Sequence, residues 1–306
     1  MTNTLLHVAL LLLAPPFYLG LIQRVKALAA GRTGPPLLQP YRDLARLFRK
    51  GAVFSVTTTW LFRAGPVLSL AATLIAGLLV PLQAGAAPLG FPGDVIALAG
   101  LLALARFVTI LAALDTGSSF EGMGASREAG FGALAEPAFF LALAIVCIPA
   151  RTASIGEAWG RLPWETWGAA HPAMLAAAGA LFVFLLAENA RIPVDDPATH
   201  LELTMVHEVM VLDHSGPDLG FILYGSAVKL FLVSALLVHL LLPVPLAGGV
   251  AGIAILLGGQ ALVAIAVGAI ESSMARLRLP RVPQFLIGAS ALAALGLVAL
   301  FYRGSL

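Results

Sequence analysis

Residues 171–197 read HPAMLAAAGALFVFLLAENARIPVDDP, an apolar run that ends abruptly in an acidic segment. A run of about 18 residues is long enough for a helix, rising roughly 1.5 Å per residue, to cross most of a hydrocarbon layer about 30 Å thick. Seven further runs of this kind occur in the chain. We predict a transmembrane helix for each run, near residues 5–22, 66–82, 94–114, 134–151, 171–189, 219–242, 248–270 and 284–302.

The composition agrees with a membrane protein. The 306 residues are 59% hydrophobic and only 11% charged, whereas charged residues make up about a quarter of a soluble domain. The runs are continuous Leu, Ala, Val and Ile, unlike the alternating segments of a membrane β-barrel. We therefore predict an all-α integral membrane protein with about eight transmembrane helices, forming a single polytopic domain over residues 1–306. Its only cysteine, Cys147, excludes internal disulfides and cysteine-ligated clusters.

The distribution of basic residues predicts the orientation. The connections after predicted helices 1, 3, 5 and 7 contain 13 of the 18 Lys and Arg residues. Because cytoplasmic loops are enriched in Lys and Arg, we predict that these connections are cytoplasmic and that both termini lie outside.

The first predicted cytoplasmic connection contains an amphipathic segment at residues 37–50. Apolar Leu37, Tyr41, Leu44 and Phe48 recur at helical spacing, while basic residues occupy the other side. This pattern predicts an interfacial helix that lies on the membrane. Such a helix could anchor the chain to anionic lipid, receive a cytoplasmic partner, or do both.

Five charged residues fall inside the predicted helices or at their ends: Arg106, Glu136, Glu188, Lys229 and Glu271. A charge in hydrocarbon is costly unless it is paired, hydrated or neutralised. Glu136 and Glu188 lie near helix ends, where water is in reach, but Arg106 and Lys229 lie deeper. The deeper cations predict buried ion pairs or a proton relay, and the sequence leaves both readings open.

An acidic cytoplasmic hinge is predicted at residues 187–218. It contains seven Asp and Glu residues, and Arg191 is its only Lys or Arg. Crowding of like charge raises carboxyl pKa values towards neutrality, which suits groups that exchange protons. Pro193 and Pro197 interrupt any helix, and the stretch 199–212 predicts a short helix capped by Thr199.

Other chemistries lack their sequence signatures. His200 and His207 lie close together in the hinge, but the HExxH spacing of a zinc protease is absent, and we predict no metal site. No nucleotide-binding glycine loop, catalytic triad pattern, haem motif or nucleic-acid patch occurs in the chain.

Four stretches, in order, resemble the membrane-heel subunit of respiratory complex I, called subunit 1 or H. They are GRTGPPLLQPYRDLARLFRK (31–50), SREAGFGALAE (126–136), AENARIPVDDPATHLEL (187–203) and ARLRLPRVPQFL (275–286). GASREAGFG and LTMVHEVMVLDHSG further resemble the matching subunit of group 4 membrane-bound nickel-iron hydrogenases, especially the formate hydrogenlyase and hydrogenase 4 type. Two acidic positions of the complex I hinge are instead Ala198 and His200.

The resemblance implies a non-catalytic membrane anchor and proton-coupling subunit in a bacterial or archaeal plasma membrane. Its expected partners are hydrogenase large and small subunits, iron-sulfur protein subunits, antiporter-like membrane subunits and lipid. The nickel-iron centre and iron-sulfur clusters are expected in those partners, with no cofactor on this chain. The implied proton path comprises Glu136, Glu188, Asp195, Glu202 and Asp213.

The supporting charges implied for that path are Arg191, Lys229, Arg106 and Glu271. Partner docking is expected at Gln39, Asp43, Arg46 and Arg127. Two alternatives remain open at this stage. One is a complex I subunit that frames a quinone site, and the other is a free-standing transporter, which the interrupted hinge would suit.

Overall fold

The computed structural model describes residues 2–83, 87–161, 171–195, 206–242 and 249–302. These residues form ten α-helices and no β-strand. The helices are α1 (Thr2–Ala29), α2 (Gln39–Phe48), α3 (Trp60–Leu79), α4 (Asp94–Asp115), α5 (Ser119–Ala150), α6 (Ile155–Arg161), α7 (His171–Glu188), α8 (Gly216–Leu241), α9 (Gly249–Ser273) and α10 (Val282–Tyr302).

The predicted multi-pass architecture is confirmed. Seven helices of the described residues are long and apolar enough to cross a membrane: α1, α3, α4, α5, α8, α9 and α10. The apolar part of α7, Pro172–Glu188, is a shorter eighth. Each of these eight helices overlaps one of the eight predicted apolar runs.

Several predicted boundaries are wrong, the largest error being at α5. This helix begins at Ser119, not near residue 134, so the charged stretch 119–133 is helical rather than a connection. Glu136 consequently lies inside a helix and does not open it. The polar residues of 119–133 misled the prediction because their partners lie on other helices, and nothing local reveals those partners.

Five of the spanning helices form a closed ring. In this ring each helix contacts the next: α3 contacts α4, α4 contacts α5, α5 contacts α7, α7 contacts α8, and α8 contacts α3. Outside the ring, α10 packs on α5 and α7, while α1 and α9 pack on α8. We call the end of the bundle at which α7 stops and α8 starts the hinge end, and the other the opposite end.

Helix α8 is the centre of the packing. Residues 230–240 of this helix are all buried, because α1, α3, α7 and α9 surround it. A helix that is apolar on every side is typical of such a position. On the far side of the ring, stacked rings of Phe139 and Phe184, with centroids 4.4 Å apart, join α5 to α7.

The two ends of α4 each cap a neighbouring helix with a carboxylate. Asp115 accepts hydrogen bonds from the backbone N–H groups of Thr59 (2.7 Å) and Phe62 (3.2 Å), at the start of α3. Asp94 accepts from the N–H of Ile155 (2.6 Å), at the start of α6. Since the first N–H groups of a helix have no partner within it, these contacts fix where α3 and α6 begin.

The predicted amphipathic segment 37–50 contains the helix α2, Gln39–Phe48. It packs against α1 and α8. Pro16 in α1 has no N–H, which leaves the carbonyl of Leu12 without its helical partner, and the Tyr224 hydroxyl donates to that carbonyl at 2.9 Å. The Tyr41 hydroxyl of α2 donates to the next carbonyl, that of Leu13. Two tyrosine hydroxyls, one from α8 and one from α2, thus bind neighbouring carbonyls of α1.

The hinge occupies residues 189–215, of which 196–205 lie outside the described residues. The predicted helix over 199–212 is corrected in its described part, where only a 3-10 turn forms at Glu208–Val211. The peptide bond between Ile192 and Pro193 is cis. This turn packs closely on α5, where a Cβ at Gly124 would collide with Val209.

Candidate functional site

A buried network of charges lies inside the ring of α3, α4, α5, α7 and α8, and Arg106 of α4 is its centre. The guanidinium contacts three carboxylates: Glu188 of α7 at 2.6 Å, Glu136 of α5 at 2.8 Å and Glu128 of α5 at 3.6 Å. The Arg106 side chain is 8% exposed and that of Glu188 is 1% exposed. Burial in a poorly polarisable interior makes each of these pairings strong and each unpaired charge costly.

A second cation completes the network. Lys229 of α8 donates from Nζ to Oε1 of Glu188 at 3.1 Å. Glu188 therefore lies between two cations, one on each of its oxygens. With three carboxylates and two cations, the group has one formal negative charge in excess.

The geometry depends on one face of α5. Glu128, Gly132 and Glu136 are spaced by four residues, so they follow one face of the helix. A Cβ at Gly132 would collide with the Arg106 guanidinium. Glycine is therefore what allows this long side chain to lie flat against α5 and reach both glutamates.

The network extends towards the hinge through His207. Its Nδ1 lies 3.4 Å from Oε2 of Glu128, within ion-pair range but outside hydrogen-bond geometry. Asp195 accepts hydrogen bonds from the backbone N–H groups of Val206 and His207, both at 3.2 Å. Arg276, after α9, contacts the other oxygen of Asp195 at 2.9 Å.

A small cavity links these groups. Its polar lining consists of Glu128, Glu188, Asp195 and His207, and its volume is about 10 Å³. That is room for roughly one water molecule, and a buried water needs two to four polar partners, which this lining supplies. A water there would connect the hinge to the ring through hydrogen bonds.

A separate cluster fixes the hinge to α9. Glu271 is 1% exposed at its side chain and contacts Arg191 at 3.2 Å and Lys26 of α1 at 3.5 Å. The backbone N–H of Leu277 donates to the carbonyl of Pro193 at 2.9 Å. The start of the hinge is therefore tied to α1 and α9 by side chains and by backbone.

The network is also accessible from the side of the bundle. A cleft of about 480 Å³ lies between α4 and α5, lined by apolar side chains together with Arg106 and Glu136. The Glu136 side chain is 38% exposed at this cleft, in contrast to the buried Glu188. Glu136 is thus the member of the network with the most direct access to surroundings outside the chain.

The remaining predicted path residues are placed differently. Asp213 is exposed, and its backbone N–H donates to Glu121 at 3.3 Å, apart from the Arg106 network. Glu202 lies outside the described residues. The structure therefore brings together Glu136 and Glu188, brings Asp195 close to them through His207, and leaves Asp213 separate.

The predicted docking residues form a polar row along α2. Gln39 donates to Asp43 at 2.9 Å, and Arg46 lies 3.7 Å from the same carboxylate oxygen. These side chains are partly or fully exposed, as a docking surface requires. Arg127 is half-buried on α5.

Three further residues belong to the site but were not predicted from the sequence: Glu128, Gly132 and Arg276. Glu128 and Gly132 could have been found from their four-residue spacing before Glu136, had the stretch been read as a helix. Arg276 had no such signal, since only folding brings it to Asp195. Among the described residues no group of His, Cys, Asp and Glu side chains is arranged to hold a metal ion.

Near the end of the hinge, His214 packs against α3. Its ring stacks on Phe62 with centroids 3.9 Å apart and planes 6° apart. Burial disfavours the charged imidazole and lowers the pKa of His214 to about 4. His214 is therefore neutral at physiological pH and acts there as an aromatic packing group.

Comparisons with known proteins agree with this architecture. The chain is 30% identical to formate hydrogenlyase subunit 4 of Escherichia coli K12 over 302 residues, covering 97% of both chains. It is 32% identical to hydrogenase-4 component C of the same organism over 241 residues, covering 78% of this chain and 74% of that protein.

A solved structure has the same fold. A chain of the membrane-bound sulfane sulfur reductase, an archaeal respiratory membrane complex, superimposes with a TM-score of 0.83 at 23% identity, covering 97% of this chain and 98% of that one. The family model for NADH dehydrogenase matches residues 2–302. With nearly the whole chain matched, this multi-pass membrane protein belongs to the NADH dehydrogenase family.

Proposed function

We propose that the chain is the non-catalytic membrane subunit of an energy-converting membrane-bound hydrogenase of the formate hydrogenlyase or hydrogenase 4 type. In this role it anchors the hydrogenase module, links it to antiporter-like subunits and passes protons. The observation that carries the proposal is the set of ionisable groups that runs from the hinge into the ring, in which Asp195 and His207 share a small cavity with Glu128 and Glu188, and ion pairs continue to Arg106 and Lys229.

The line suits proton transfer because its groups are close together and its carboxylates outnumber its Lys and Arg side chains. Transfer between groups needs hydrogen-bond distances or one bridging water. Three carboxylates, those of Glu128, Glu136 and Glu188, contact the same Arg106 guanidinium, so a proton that enters the network has several acceptors within a short distance. A change in charge at the hinge then changes how tightly that proton is held.

The hinge end is the side from which a redox partner acts on this line. The similarity to hydrogenase-4 component C and formate hydrogenlyase subunit 4 supports partners of the hydrogenase kind. We place the nickel-iron centre and iron-sulfur clusters in those partners. The row of Gln39, Asp43 and Arg46 on α2, with Arg127 on α5, is the proposed docking surface.

The proton role is tested with two isosteric substitutions in the assembled complex. Glu136→Gln and Glu128→Gln each remove a titratable group from the network but keep its size. We expect hydrogen evolution to continue while proton movement into or out of membrane vesicles falls at least threefold per hydrogen molecule. Both quantities are measured in one vesicle preparation, with a pH-sensitive dye for the protons.

The matched control is Glu157→Gln. Glu157 is an exposed acid at the opposite end, paired with Arg161 at 2.9 Å, and lies outside the network. It should leave the ratio of protons to hydrogen unchanged. If both network variants retained the wild-type ratio, the chain would not be a proton-coupling subunit.

The alternative is a complex I subunit that frames a quinone site. The reason to consider it is that the matching family is described as NADH dehydrogenase. Two relatives at 30% identity or more, hydrogenase-4 component C and formate hydrogenlyase subunit 4, favour the hydrogenase branch. Purified complex that oxidises NADH with quinone, and does not produce or consume hydrogen, would establish the alternative. Ion exchange by the chain reconstituted alone would instead identify a free-standing transporter.

A further inference from the structure

The lateral cleft between α4 and α5 opens on the outside of the bundle, at the level of the membrane interior. Both helices are long and apolar enough to cross a membrane. The cleft is lined by residues from Gly100 to Ile110, the central part of α4, and its volume of about 480 Å³ is room for several side chains. An open cleft at this depth needs an occupant, either lipid or protein.

The outer side of α4 is an uncovered flank of the ring. Helices α1 and α9 cover α8, and α10 covers α5 and α7, but among the described helices only the ring neighbours α3 and α5 pack extensively on α4. Large apolar side chains are exposed along this flank, at Ile96, Leu104, Phe107 and Leu114. Such a flank faces either acyl chains or a further transmembrane helix.

Small residues form part of the wall of the cleft. They are Gly100 and Ala103 of α4 and Ala129 and Ala133 of α5. Ala129 and Ala133 are four residues apart, so they lie on one face of α5, and both are exposed. Small residues at this spacing let the backbones of two transmembrane helices approach closely. The shape of the cleft therefore suits a helix.

Glu136 distinguishes between a lipid and a protein occupant. Its carboxylate is partly exposed at the cleft, and it lies near the middle of α5, at least about 20 Å from either end of that helix. An ionised carboxylate that faces acyl chains is unfavourable unless a partner pairs with it. Its ion pair in the described part of the chain is with Arg106, which Glu128 and Glu188 share. Lipid headgroups lie at the membrane surface, so lipid offers no partner at this depth.

We propose that the lateral cleft is the docking site of a transmembrane helix from another membrane subunit, and that this helix carries a Lys or Arg side chain that pairs with Glu136. The small residues allow the helix to approach, and the apolar flank of α4 packs against its sides. The charge network has one formal negative charge in excess, so a cation is complementary to it. The inference rests on the proposed function in one respect, namely that the chain is assembled with other membrane subunits.

The occupant is identified by photo-crosslinking in membranes of cells that produce the whole complex. Phe107, which is 55% exposed, is replaced by the photoreactive residue p-benzoylphenylalanine, which attaches to neighbouring C–H groups on irradiation. We expect a crosslinked peptide from an apolar segment of about 18 residues or more that contains a Lys or Arg. Adducts with lipid or another small molecule alone, or with a segment that has no such cation, would overturn the proposal.

The control for this experiment is the same replacement at Leu262. Leu262 is 63% exposed on α9, which packs on α1 and α8 and not on α4 or α5. We expect no crosslink from this position to the segment captured at Phe107. Equal capture of that segment from both positions would show that it does not dock in the cleft.

The need for an open cleft is tested with Ala133→Leu. Because Ala133 is exposed at the cleft, the larger side chain fills space there and leaves the packing of the chain itself intact. We expect at least a fivefold loss of the crosslinked subunit from the complex purified through a tag on this chain. Ala266→Leu, the same change at an exposed position of α9, should retain that subunit. Full retention with Ala133→Leu would mean that no helix occupies the cleft.

Failure of this proposal is distinguishable from failure of the proposed function, because crosslinking at Phe107 needs neither turnover nor proton movement. If the ring carries no protons, Glu136→Gln and Glu128→Gln keep the wild-type ratio of protons to hydrogen, while the crosslink to a cationic helix persists. If the cleft faces lipid, the label at Phe107 gives lipid adducts whatever that ratio is.

Discussion

At the scale of single residues, Arg106 determines how the ring is built. One guanidinium in α4 holds Glu136 and Glu128 of α5 and Glu188 of α7, so it joins three helices at one point. Buried ion pairs of this kind contribute little net stability, but removing one partner is costly because the other charge stays buried. The contribution of Arg106 is therefore to fix the relative position of the three helices.

Gly132→Ala tests this arrangement with a single methyl group. The added Cβ would collide with the guanidinium of Arg106, which must withdraw from α5. We expect a loss of about 1–3 kcal/mol in stability, typical of an overpacked site, and a fall in proton coupling. Thermal unfolding of the solubilised complex measures the first effect.

Gly130→Ala is the control, because a Cβ there meets no atom within 4 Å. Alanine is also the better helix former, so this change should be neutral or slightly stabilising. Equal stability of the two variants would show that Arg106 does not need the space at Gly132.

At the scale of elements, the structure depends on contacts that join the end of one helix to another. Asp115 of α4 caps α3 through Thr59, and Tyr224 of α8 satisfies the carbonyl that Pro16 leaves free in α1. The hinge is held in the same way, by Asp195 on one side and by His214 against α3 on the other. These contacts hold the described parts of the hinge, residues 189–195 and 206–215, against the neighbouring helices.

His214 gives the contact between hinge and α3 a pH dependence. Its pKa is about 4 in the folded protein, against an ordinary value of 6.5, because burial disfavours the imidazolium. The unfolded chain therefore binds the proton more readily. The stabilising contribution is complete above about pH 6.5 and is lost as the pH falls towards 4.

We expect His214→Phe to preserve the stack on Phe62 and to remove this dependence. The unfolding temperature of the wild type should fall more between pH 7.5 and pH 5 than that of the variant. If the unfolding temperatures of the wild type and the variant fell by the same amount, protonation of His214 would not destabilise the folded state.

At the scale of the whole molecule, the ring of five helices separates the charges from lipid. Arg106, Glu188 and Lys229 face one another inside it, while α1, α9 and α10 cover α8, α5 and α7 from outside. A closed ring lets polar groups cross a hydrophobic layer because helices, not lipid, surround them. The lateral cleft at Glu136 is where this enclosure is open.

The proposed orientation is tested with reporters at the C-terminus. The excess of Lys and Arg in the connections at the hinge end favours a cytoplasmic hinge and external termini. We expect a C-terminal alkaline phosphatase fusion to be active and a C-terminal green fluorescent protein fusion to be dark. A second pair of fusions after Lys50 should give the reverse result, and identical signals at both sites would contradict the orientation.

The sequence predicted the helices well and the site only partly. Apolar runs are local, so their number and approximate positions could be read directly. The start of α5 at Ser119 could not, because Glu121 and Glu128 are stabilised by groups far away in the chain. Arg106 and Lys229 were predicted to need partners because a charge inside a membrane helix is costly. The partners themselves were not predicted, since they too lie far away in the chain.

The sequence by itself determined the class of this protein: an apolar bundle of about eight membrane helices with an acidic hinge. Each of those features follows from hydropathy and charge along a single segment. Only the tertiary structure decided which charges meet, namely Arg106 with Glu128, Glu136 and Glu188, and Arg276 with Asp195. It alone decided also that Ser234 of α8 donates to Gln260 of α9, because electrostatic and hydrogen-bond partners depend on distance in space, which the packing of the helices sets.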